Sequence, residues 1–267
     1  MPVCWSCSQN TVLAASSAQP KTCTCQGRLC GSWFRNDTSP PLPPGNGLPM
    51  KFADLQAAAK ARHLTILGGF HPTAKDATPE GCQTVLMLGP DEPSFWPHLS
   101  ASPEYKSADP DPVDRWSVRV IGAWAEELNA RALYPFGGPP YLPFFDWALR
   151  TGRIHASPIR LLVHDAAGLF VSFRGALALP WRVDLPPAPP SPCMSCADQP
   201  CRSACPVDAL DGAGYDVPAC KRYLHSRPGA DCMTQGCAAR RACPVSQQFG
   251  RLPAQSEHHM LNFRGPP

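Results

Sequence analysis

The sequence is poor in charge and has no long apolar run. Asp, Glu, Lys and Arg make up 17% of the 267 residues, against roughly 25% in ordinary domains. The formal net charge is only +3, so nothing demands a broad cationic face for nucleic acid, and a disordered polyelectrolyte is disfavoured. No apolar stretch approaches the roughly 18 residues of a spanning helix, which argues against a single-pass membrane protein. No basic segment leads into an apolar one near the N-terminus, so a secretory signal is not read. Hydrophobic residues reach 43%, enough for a packed core. What the chain has in excess is 34 Pro and 14 Cys. Average Pro usage is about 5%, and this chain carries more than double that share. Cysteines without an export signal point to a reducing, cytoplasmic setting, and to metal or clusters rather than disulfides.

The cysteines divide the chain. Five fall in the first thirty residues (Cys4, Cys7, Cys23, Cys25 and Cys30), Cys82 stands alone, and eight crowd into 193–243. Residues 1–49 show neither a helical nor a strand period and end in Pro-rich sequence. They read as a disordered leader, or as the product of a start placed too early, with translation beginning at Met50. A third reading is a metal site on Cys4-x2-Cys7 and Cys23-x-Cys25-x4-Cys30. Residues 50–182 read as a globular α/β domain. Phe52, Leu55 and Ala59 share a helix face. Residues 65–67, 84–88, 159–163 and 169–173 are apolar runs bounded by turn residues, expected to be buried strands. A helix is expected over 111–132, with Pro112 in its first turn and Trp116, Val120, Trp124 and Leu128 as a core stripe. A shorter helix is expected over 144–150, closed by Gly152. Residues 183–192 form a stiff Pro-rich linker, 193–250 a cysteine module, and 251–267 a tail.

The module holds two runs. The first is Cys193-x2-Cys196-x4-Cys201-x3-Cys205-Pro206, the second Cys232-x4-Cys237-x5-Cys243-Pro244, with Cys220 between. Both close on Ala-Cys-Pro-Val, a weak internal repeat. Bacterial two-cluster ferredoxins use C-x2-C-x2-C-x3-C-P, in which the last Cys ligates the other cluster. Proline after that Cys suits the first turn of a helix, whose amides would then point at an anionic iron–sulfur core. The expectation is two [4Fe-4S] clusters on Cys193, Cys196, Cys201, Cys205, Cys220, Cys232, Cys237 and Cys243. The alternatives are Cys4 zinc sites, which also use C-x2-C knuckles, and one cluster with spare thiols. Zinc sites usually pair two such knuckles, and the repeated Cys-Pro ending has no zinc rationale.

An α/β domain, a Pro-rich join and a C-x-x-C…C-x3-C-P module with a middle Cys before Tyr (Ala219-Cys220-Lys221-Arg222-Tyr223) together resemble the epoxyqueuosine reductase family, relatives of the corrinoid-dependent reductive dehalogenases. The resemblance extends upstream. Gly152, the apolar frame 159–163, His164 and the Gly168 hairpin keep the spacing of the family's G-x-G-W-x-G-K-N-x-L-L-I-H segment and following strand. The family's Gly-Lys-Asn is replaced by Ser157-Pro158-Ile159, and Pro140 stands where its catalytic Asp is placed. The resemblance implies an α/β domain followed by a small ferredoxin-like two-[4Fe-4S] module. One cluster would sit on Cys193, Cys196, Cys201 and Cys243, the other on Cys205, Cys220, Cys232 and Cys237. It further implies cobalamin in the upstream domain, an electron-donor protein such as a flavodoxin, ferredoxin or reductase, and a tRNA or small-molecule substrate. The functional expectation is an iron–sulfur redox protein passing single electrons, an oxidoreductase lacking the family's acid. Its alternatives are a non-catalytic electron carrier and a zinc-stabilised interaction module. His164 is either a ligand or proton donor, or a strand-end histidine satisfied by its own bonds. Arg222, Arg240 and Arg241 are expected to offset cluster charge or to dock an acidic donor.

Overall fold

The computed structural model describes residues 50–107 and 109–266. The leader readings, and Cys4 to Cys30 with them, lie outside the described residues. In chain order the elements are α1 (Phe52–Lys60), β1 (Leu64–Phe70), β2 (Thr84–Pro90), α2 (Phe95–Ala101), α3 (Pro103–Lys106), α4 (Pro112–Glu127), β3 (Arg131–Leu133), α5 (Phe144–Arg150), β4 (Ile154–Ala156), β5 (Leu162–His164) and β6 (Gly175–Leu179). In the cysteine-rich part follow α6 (Val217–Leu224), α7 (Ala230–Gln235), α8 (Ala238–Arg241), α9 (Pro244–Gln247) and α10 (Pro253–Arg264). The fold is mixed α/β, built on a small antiparallel sheet of order β1-β2-β6-β3, with β4 and β5 as a separate hairpin.

Strand alternation divides the core into two layers. Leu86 and Leu88 of β2, with Leu177 and Leu179 of β6, face α1, α2 and α4, where Trp116 and Trp124 are fully buried. Val85, Met87, Ala176 and Ala178 face the opposite way, onto Trp147 of α5 and the hairpin. In β1 the register slips between Ile66 and Gly68. One extra residue flips the face of everything after it. Leu64 and Ile66 therefore pack in the first layer, while Phe70 lands in the second.

The expected strands at 65–67 and 84–88 and the helix at 144–150 are present, with the first two extended. The helix expected over 111–132 stops at Glu127. Asn129 adopts φ 49°, and the Asn129 and Ala130 amides bond back to Glu126 and Ala125. That is a Schellman closure with Asn in the left-handed position, and it frees residues 131–133 to become a strand. The strand expected over 159–163 begins at Leu162, because residues 157–161 form a turn closed by Ser157 N–H to Leu161 O at 2.8 Å. Residues 169–173 are not a strand. The strand is Gly175–Leu179, where Gly175 lets the backbone approach Leu133, whose carbonyl would lie 3.0 Å from an added Cβ. Residues 251–267, read as a tail, carry α10, which packs on α7 and α6.

Candidate metal centre

The two cysteine runs fold onto the β4–β5 hairpin. Gly168, in the turn that follows β5, with φ +57°, lies against Ser246, whose N would be 2.4 Å from an added Cβ. Leu169 N–H donates to Ser246 Oγ at 2.8 Å, and Arg240 donates to Leu169 O at 2.9 Å. These bonds explain why 169–173 joins no sheet: the module takes up the Leu169 backbone groups. Arg160 reaches Ala213 O at 2.7 Å from the far side of the hairpin.

The eight thiols line two cavities. Cys193, Cys196, Cys201 and Cys243 line one of about 190 Å³. Cys205, Cys220, Cys232 and Cys237 line another of about 130 Å³. Each run thus hands its Cys-Pro cysteine to the other's cavity. Cys193 and Cys201 sit in single 3-10 turns begun by Pro192 and Pro200, Cys220 lies within α6 and Cys232 within α7, and Cys237 and Cys243 precede α8 and α9. The helix expected after each Cys-Pro is a single turn after Cys243 and is missing after Cys205, where Asp208 at φ 49° turns the chain. The cavities are neighbours, since Cys237 packs in one apolar cluster with Cys193, Cys201 and Cys243, around Leu210 and Ala239. Among the described residues, all the cysteines are free thiols.

The electrostatics follow the same division. Burial raises the Cys193 thiol above its usual range, with Cys243 and Cys196 adding to the rise. Burial also raises Cys201, with Cys193, Cys243 and Cys196 adding. In the other set, burial pushes Cys220 up to about 11; the Tyr215 hydroxyl, donating to its Sγ at 3.3 Å, opposes this, while Cys237, Cys205 and Cys232 add. Burial raises Cys232 too, with the Ala238 amide opposing and Cys237 adding. Gathered thiolates repel one another, and either a proton on each sulfur or a cationic centre relieves them. Among the described residues no three His, Cys, Asp or Glu side chains are close enough to hold one metal ion between them. No family model, no curated protein and no solved structure matches the chain.

His164 is placed as a structural residue. Its Nδ1 accepts from the Ala166 and Ala167 amides at 3.1 and 3.0 Å, which leaves Nε2–H to donate to Leu67 O at 2.7 Å. Burial holds the imidazole below its usual range, against the pull of Asp165. This neutral ring ties the β1 bulge to the turn that follows β5. Arg241 pairs with Asp231, and Arg222 is exposed on α6. Reading the sequence missed Tyr215, Ser246 and Arg251. Tyr215 has no motif around it, and Ser246 looks like any small residue in a short helix. Arg251 follows the last cysteine and forms a buried pair with Glu92, 159 residues away.

Proposed function

We propose that the chain is an iron–sulfur protein that passes single electrons through two [4Fe-4S] clusters. One is held by Cys193, Cys196, Cys201 and Cys243, the other by Cys205, Cys220, Cys232 and Cys237. The observation that carries this reading is the sorting of eight thiols into two four-cysteine cavities, with Cys205 and Cys243 exchanged between the runs. It is the division the family resemblance implies, and the exchange is the habit of two-cluster ferredoxins. A [4Fe-4S] cube takes four cysteine thiolates. Zinc instead draws four ligands onto one ion at about 2.3 Å.

When bound, the clusters supply one-electron redox steps. The protein's part is to deprotonate, space and insulate them. Burial and crowding favour the neutral thiols in Cys193, Cys201, Cys220 and Cys232, so iron loading displaces protons there. The Ala209 amide, 3.3 Å from Cys205 Sγ, and the Tyr215 hydroxyl donate to the second set and favour its more reduced charge state. The apolar wall of Leu210 and Ala239 keeps water from between the cavities. Met194, beside Cys193, is 82% exposed and offers an apolar contact to an electron-donor protein. A cytoplasmic, reducing setting suits thiols that must stay free for cluster assembly.

Cobalamin, implied by the resemblance alone, draws no support from the matched frame. Leu162, Val163, Leu169 and Val171 there are buried core, and His164 is engaged by Leu67 O and by Asp165 Oδ1 at 3.1 Å. With Pro140 where the family places its acid, the chain lacks the proton donor that epoxyqueuosine turnover would need. Anaerobic reconstitution followed by iron analysis tests the reading. About eight irons per chain, four for each cube, supports it, and four or fewer refutes it. Replacing Cys205 with Ser is expected to cost the second cluster while sparing the first.

A further inference from the structure

The cavity that holds the second thiol set does not end at the thiols. Its lining also includes Phe170 and Phe173 from residues 170–174, and Met260 and Phe263 from α10. Three guanidiniums, of Arg174, Arg240 and Arg251, line the same cavity, and no Asp or Glu does. The Arg251 side chain is 8% exposed. It is fixed by Glu92 at 3.4 Å and by the Phe170 ring beneath its guanidinium at 5.7 Å. Its buried Nε has no hydrogen-bond partner. Arg174 pairs with Asp114 at 3.7 Å, and Arg240 gives one N–H to Leu169 O.

Desolvated cations crowded together are costly unless something anionic shares the space. The cost is visible at Arg251: burial depresses its pKa to about 10, Glu92 opposes, and Arg240 and Arg174 depress it further. Glu92 and Asp114 offset two of the three cations from behind the wall. Beside the four thiols, the cavity lining combines these donors and Ser172, Ser256 and His259 with aromatic and aliphatic side chains, the usual make-up of a site for a small amphiphilic ligand. We propose that this inner chamber binds a small organic carboxylate with a flat apolar body. The carboxylate would lie against Arg251 and Arg240, and the body against Phe170, Met260 and Phe263, beside the second thiol set. Arg251 is suited to this because a guanidinium fork matches a carboxylate in shape and charge.

The rival is that these cations only balance a cluster's negative charge. Calorimetric titration of the iron-loaded full chain with benzoate, benzyl alcohol and inorganic phosphate separates the two. Benzoate is expected to bind, with the neutral alcohol and the body-less phosphate each weaker by about tenfold or more, the size of one lost charge-assisted contact. A paired Glu92→Gln/Arg251→Gln variant removes the guanidinium without stranding a buried carboxylate. Phe170→Ala removes part of the apolar wall and leaves the ion pair of Arg251 with Glu92 in place. Each is expected to weaken benzoate at least about tenfold while iron content and visible spectrum stay as in the parent. The proposal is overturned if benzoate fails to bind the loaded chain, if benzyl alcohol binds as well, or if both variants keep the parent affinity. Iron content read on the same samples keeps the two readings apart: benzoate binding in a chain that takes up no iron refutes the clusters and supports the chamber.

Discussion

Replacing Gly168 with Ala tests how the hairpin holds the first thiol set. Gly168 has φ +57°, and an added Cβ would lie 2.4 Å from Ser246 N and 2.8 Å from Ser246 Cα. Those are backbone atoms, so rotating a side chain cannot relieve the contact. The left-handed conformation alone costs alanine about 1–2 kcal/mol. Pushing α9 away also breaks the 2.8 Å bond from Leu169 N–H to Ser246 Oγ, and a buried amide left without a partner costs about 1–3 kcal/mol. The sum, about 2–5 kcal/mol, is below the usual 5–15 kcal/mol of a folded domain. The chain should therefore still fold, with Tm lowered by roughly 5–15 °C. Cys243 caps the helix that moves, so the iron lost should come from the set holding Cys193, Cys196 and Cys201. Scanning calorimetry and iron analysis measure both effects. Ser246→Ala removes only the hydrogen bond and should fall between parent and Gly168→Ala. A Gly168→Ala chain with parental Tm and full iron would refute the account of this contact.

Asp114 offers a pH test, because burial, against the opposing Arg174, raises its carboxyl from 3.8 to about 6. The folded state then holds a proton that the unfolded state has released, so this group's contribution favours folding at about pH 4 and is lost as pH rises through about 6, a change of about 3 kcal/mol. Asp114→Asn should therefore gain stability relative to the parent between those pH values, measured by urea unfolding; parallel pH profiles would refute it. Tyr215→Phe removes the hydroxyl that donates to Cys220 Sγ; redox titration should show a lower potential for one cluster only, with iron content unchanged. A chain beginning at Met50 should keep its fold and full iron content, since Met50 and Phe52 already join the first core layer; lost iron would bring Cys4 to Cys30 back as ligands.

Much of the upstream domain was legible because local pattern and final burial agree. The four-residue recurrence of Trp116, Val120, Trp124 and Leu128 is enough to place one face of α4 in the core, and the all-apolar run of β2 has two buried faces to fill. Cysteine spacing alone divides the sequence into a cysteine-poor stretch and a thiol-rich one. What it left open is which four thiols meet, because chain neighbours such as Cys201 and Cys205 line different cavities. Residues 169–173 look more like a strand than 175–179, since apolar content is a local property. A strand also needs a partner edge, and it is the weakly patterned Gly-Ala-Leu-Ala-Leu segment that sits in the slot between β2 and β3. The pairing of Arg251 with Glu92 and the tie from His164 to Leu67 were decided in the same way by the tertiary structure. Each joins residues about a hundred or more positions apart, where no periodicity or motif connects them and only packing brings the charge or the donor to its partner.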